Sequence, residues 1–69
     1  MNSHLKAILK KLEGHRDEIL ADLDVYLMHP VGVGEHANIG EEIEGKLAKV
    51  DELEGKIAVI KNNFSQTQL

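Results

Sequence analysis

The sequence predicts an all-α fold, an antiparallel helical hairpin of coiled-coil-like character that pairs with a second copy into a dimeric four-helix bundle. Three observations carry this expectation. Two series of aliphatic residues recur at spacings of three and four, the signature of amphipathic helices and not of strands. A segment rich in proline and glycine separates them. The chain has only 69 residues, and two helices alone bury one seam, so pairing of hairpins is the economical way to complete a core.

The whole chain reads as a single domain, 1–69. The first helix is expected over about 4–28, where Leu5, Ile8, Leu9, Leu12, Ile19, Leu20, Leu23, Tyr26 and Leu27 form the apolar series. Ser3 suits the N-cap, because its hydroxyl can accept a free backbone N–H of the first turn. The helix is expected to stop near Met28. His29 precedes Pro30, and a residue before proline is pushed out of the α region.

The loop follows as 29–38, and the second helix as about 39–64 on Ile39, Ile43, Leu47, Val50, Leu53, Ile57, Ile60 and Phe64. These positions hold near a 3.5-residue repeat that only Lys46 interrupts. Asn38 with Glu41 three residues on matches a capping box. Glu41, Glu42 and Glu44 suit the positive end of the helix dipole, and Glu42–Lys46 and Glu52–Lys56 are spaced as favourable i,i+4 pairs. The tail 65–69 carries no pattern. Each helix spans about 25 residues, or roughly 37–39 Å at 1.5 Å per residue, so the two match end to end when folded back.

Composition narrows the function. A chain of this size buries only about 60% of its unfolded surface, too little for a deep catalytic pocket. It contains no cysteine, so neither a disulfide framework nor a thiolate zinc site is available, and self-association is the remaining common source of stability. Gly14, Gly40, Gly45 and Gly55 each cost about 1 kcal/mol relative to alanine inside a helix, which strengthens the expectation of a dimer. The expected oligomer interface is Leu5, Leu9, Leu12, Arg16, Ile19, Leu23, Ile43, Val50, Leu53, Ile57, Ile60 and Phe64. Arg16 falls on the seam between Leu12 and Ile19, where an Asp or Glu on a facing helix would pair with it and set the register.

The net charge is −4, from 8 Lys plus Arg against 12 Asp plus Glu. An acidic chain whose only aromatics are Tyr26 and Phe64 lacks the basic and aromatic interleaving that nucleic acid demands. The charge is uneven. Folding the hairpin brings Lys6, Lys10, Lys11, Lys56 and Lys61 together at the open end, which carries +4 with Glu13 included, and leaves the loop-side body at −8. Such a dipolar rod can attract the opposite pole of a neighbour. No apolar run reaches the roughly 18–20 residues of a membrane span, and the opening Met-Asn-Ser-His lacks the regions of a signal peptide. A cytoplasmic protein is expected.

The chemical motifs are weak. Gly32-Val33-Gly34 with Ala37 formally matches a dinucleotide fingerprint, but that motif needs a preceding strand inside a βαβ unit. Glycines there more simply let the chain turn. His29, Glu35 and His36 form the one cluster that could ligate a metal through nitrogen and oxygen, at a spacing that matches no dedicated motif. No metal and no cofactor is assigned. His4 and His15 are expected to be solvated. Ser3 and Ser65 sit near the ends of the chain, there is no cysteine, and the carboxylates alternate with lysines on exposed faces, so no catalytic residue is assigned.

The segment Leu27-Met28-His29-Pro30-Val31-Gly32-Val33-Gly34-Glu35-His36, the acidic run Gly40-Glu41-Glu42-Ile43-Glu44 and the ending Lys61-Asn62-Asn63-Phe64 resemble small uncharacterised proteins of marine tailed bacteriophages. The likeness covers about residues 23–64. It implies a setting, the cytoplasm of an infected bacterium, and no catalytic residues.

The expected function is therefore that of a non-enzymatic, self-associating hairpin that works as an interaction or assembly module. The loop His29, Pro30, Val31, Gly32, Val33, Gly34, Glu35 and His36 is the expected partner contact, since loops carry function more often than cores do. Two alternatives stay open: an acidic inhibitor or regulator that mimics a polyanion on a basic surface of a host protein, and a metal-binding loop module.

Overall fold

The computed structural model describes residues 1–28 and 38–64, which form two helices packed as a hairpin, with no strand among the described residues. Helix α1 is Ser3–Met28 and helix α2 is Ile39–Phe64, each of 26 residues. Neither helix is long and apolar enough to cross a membrane.

The start of α1 is fixed one residue earlier than the expected cap. Asn2 Oδ1 accepts the Leu5 N–H at 2.8 Å, and the Asn2 carbonyl accepts the Lys6 N–H at 3.0 Å. Asn2 is thus the N-cap in place of Ser3, which becomes the first helical residue. Ser and Asn are comparable caps, so the pair Asn2-Ser3 offers two starts, and the earlier one adds a residue to the helix. At α2 the Asn38 carbonyl accepts the Glu42 N–H at 3.0 Å. The side-chain half of the expected capping box is not formed among the described residues. Near the other end of α2, Asn63 Nδ2 donates to the Val59 carbonyl at 2.8 Å, one of the last acceptors of the helix.

The core is a single seam. Ile19 and Leu23 of α1 meet Val50 and Leu53 of α2, with Leu12 and Ile43 packed against them, half-buried. Ile57 and Ile60 continue the buried line along α2. Leu53, at 2% exposure, is the most enclosed of these side chains. No polar or charged residue is buried among the described residues, as expected of a contact one side chain deep.

Candidate functional site

What the hairpin presents to a partner follows from how each helix is rotated about this seam. At about 100° per residue, Asp22 and Tyr26 on α1 and Glu42, Lys49 and Lys56 on α2 are rotated to one side of the buried line. In an antiparallel pair the same sense of rotation on both helices leads to the same side, so these residues share one flank. Leu9, Leu20 and Leu27 on α1, with Ile43 and Leu47 on α2, are rotated about 60–100° the other way and share the opposite flank.

The first flank is charged near the loop. An open groove of about 570 Å³ lies between His15, Glu18, Asp22 and Tyr26 on α1 and Glu42, Lys46 and Lys49 on α2. Lys46 Nζ is 3.6 Å from Asp22 Oδ2 and 5.7 Å from the centre of the Tyr26 ring, so one ammonium engages both a carboxylate and an aromatic face on the facing helix. The expected Glu42–Lys46 pair gives way to this arrangement, because Lys46 occupies a seam position and its stem already points across to α1. A side-chain hydrogen bond to the Glu42 carboxylate, and the charge of that group, raise the Tyr26 phenol above its ordinary pKa.

Farther along the same flank, Glu52 Oε2 receives Lys56 Nζ at 3.1 Å and Lys49 Nζ at 3.3 Å. Hydrogen bonds from Lys56 first, then Lys49, pull its carboxyl below the ordinary value. Towards the termini the flank turns apolar, with a groove of about 670 Å³ beside Ile8, Leu12, Gly55, Val59 and Ile60. Chemically the flank offers ion pairs that are largely matched already, and each exposed pair contributes only about 0–1 kcal/mol. It fixes register more than it binds.

The opposite flank is leucine-rich. Leu20, Leu27 and Leu47 are 41%, 65% and 53% exposed, with Leu9 and Ile43 half-buried beside them. Glu13 and Lys61 bridge the helices at 3.3 Å towards the terminal end. Leu47, expected in the seam, sits on this flank because Lys46, the residue before it, faces α1.

The expected interface residues thus fall into two groups. Ile19, Leu23, Val50, Leu53, Ile57 and Ile60 bury one another within the hairpin, while Leu5, Leu9, Leu12, Arg16 and Ile43 are half-buried and Phe64 is exposed. The expected partner of Arg16 on a facing helix is replaced by its neighbour: Arg16 Nε donates to Asp17 Oδ1 at 3.0 Å. Its side chain is 25% exposed, which lets the guanidinium leave the seam along its own stem. His4 and His15 are exposed. The loop residues His29 to His36, on which the expected metal cluster, the expected partner contact and much of the resemblance fall, lie outside the described residues. Among those described, no group of three or more His, Asp or Glu is placed to hold a metal ion.

Sequence reasoning missed the Asp22–Lys46–Tyr26 cluster and the leucine flank. The signal for the first was Lys46 itself, the one charge in an otherwise apolar repeat. For the second it was Leu20 and Leu47, each adjacent in sequence to a seam position. Compared with known protein families, curated proteins and solved structures, the chain matches none.

Proposed function

We propose that the chain is a non-enzymatic, self-associating helical-hairpin module, whose dimer forms the core of an interaction or assembly unit. The observation that supports this reading is the leucine flank: Leu20, Leu27 and Leu47 remain 41–65% exposed after the seam has closed. A second hairpin covers that flank with the same chemistry as the seam.

The test is the solution mass by light scattering during size-exclusion chromatography, over a hundredfold range of concentration. The expected mass is near twice 7.7 kDa, little changed by salt, because burial of leucine is not screened. A monomer at every concentration overturns the reading and turns attention to a foreign partner, with the acidic body as the surface that would recognise it.

A further inference from the structure

We infer that the second copy docks antiparallel on the leucine flank, so that Lys6 of each copy faces Asp24 of the other. The inference rests on the self-association proposed above and adds the face and the orientation.

The two flanks differ in what an antiparallel neighbour would meet. On the charged flank the apolar groove of Ile8, Val59 and Ile60 lies towards the termini, and the polar groove of Asp22, Tyr26, Glu42 and Lys46 lies towards the loop. Reversing one copy would lay apolar on polar and desolvate the exposed Asp22–Lys46, Glu52–Lys49 and Glu52–Lys56 pairs. On the other flank Leu20, Leu27 and Leu47 lie towards the loop and Leu9 and Ala58 towards the termini. Reversal there brings Leu20 of each copy beside Leu9 of the other, with the Glu13–Lys61 bridge as the one ion pair among the described residues of this flank.

Charge then selects the direction. Lys6 and Asp24 are 18 residues apart, which is five full turns of about 3.6 residues, so they stand on one line along α1 about 27 Å apart. Both are exposed, and among the described residues neither has an ion-pair partner. Residue 15, halfway between them, lies next to the midpoint of α1. A two-fold axis there sets Lys6 on Asp24 at both ends of the contact. A parallel dimer would set Lys6 beside Lys6 and Asp24 beside Asp24. The same reversal brings the positive open end of each rod against the negative loop-side body of the other.

Because the chain has no native cysteine, introduced ones report contacts without background. Lys6→Cys and Asp24→Cys variants are mixed, oxidised and resolved by mass. The expected product is the mixed disulfide, enriched at least about fivefold over either self-linked species. Self-linked Lys6→Cys and Asp24→Cys in preference to the mixed product overturns the orientation. In parallel, Leu20→Glu should raise the dimer dissociation constant at least about tenfold with helicity kept, since Leu20 lies outside the seam, and Ile8→Glu on the other flank should leave it within about twofold. A dimer that loses affinity with Ile8→Glu but not with Leu20→Glu overturns the face alone and leaves self-association standing. A wild-type monomer removes both.

Discussion

The two helices have equal length but carry unequal shares of the core. Helix α1 buries Ile19 and Leu23, whereas α2 buries Val50, Leu53, Ile57 and Ile60. The difference arises between Leu12 and Ile19, where α1 has a polar stretch and the one seam position within it is Arg16. Helix α2 keeps its near-3.5 repeat past Lys46 without another break, so its stripe continues to face the partner for three more turns. The lesson is a division of labour. Helix α2 supplies the continuous buried line, and α1 supplies most of the leucines that stand beside the seam and remain exposed.

The largest expected effect tests this asymmetry directly. Leu53→Ala removes the most enclosed side chain and should cost about 2–5 kcal/mol, comparable to the whole stability of a domain this small. Its helicity by circular dichroism should collapse at ordinary temperature. The equivalent truncation in α1, Ile19→Ala, removes a side chain that is 8% exposed at the edge of the polar stretch, and should shift the urea midpoint less. Equal losses at the two sites would contradict the unequal sharing of the core.

An intermediate effect concerns the backbone. Gly14 lies in α1, while α2 has Gly45 and Gly55 in its interior and Gly40 in its first turn. At each of them an added Cβ would meet nothing within 4 Å, and none of these glycines has a positive φ. Helix α2 therefore combines the larger share of the core with the greater backbone cost. Gly45→Ala and Gly55→Ala should each stabilise the hairpin by about 0.5–1 kcal/mol, read as a higher urea midpoint. Together they should gain more than Gly14→Ala alone. A loss of stability at either position would mean that a neighbour approaches the helix closely there.

These contrasts also mark what the sequence made legible. The spacing of Ile19, Leu23, Val50, Leu53, Ile57 and Ile60 was sufficient to predict two helices packed as a hairpin, because a stripe on each of two helices has few other ways to be covered. The start of α1 was less legible, since Asn2 and Ser3 are adjacent residues that both cap well and only the backbone chooses between them. The pairing of charges was least legible. Lys46 can reach Glu42 on its own helix or Asp22 on the next, and Arg16 can reach a facing helix or Asp17. Distance along the chain does not decide between partners that differ by a few tenths of a kcal/mol; the rotation of each helix about the seam does.

The smallest expected effect sharpens the comparison most, because it reads both helices at one atom. Tyr26 on α1 is the chain's single tyrosine, and there is no tryptophan, so the tyrosinate absorbance reports this phenol alone. Its pKa is raised first by the hydrogen bond to Glu42 on α2 and then by the charge of that carboxylate, with Lys46 opposing. A group whose pKa is raised by folding adds stability below its unfolded value, and that contribution is lost as pH rises through the folded value. The hairpin should therefore loosen at its loop end only at strongly alkaline pH, and by a small amount, since the ring edge is open to water. Glu42→Gln removes the carboxylate while leaving Lys46 in place, and should move the tyrosinate midpoint downward. Lys46→Met should move it further upward. If both variants titrate like the wild type, α1 and α2 are not docked at that end, and the register drawn through Asp22 and Lys46 fails with them.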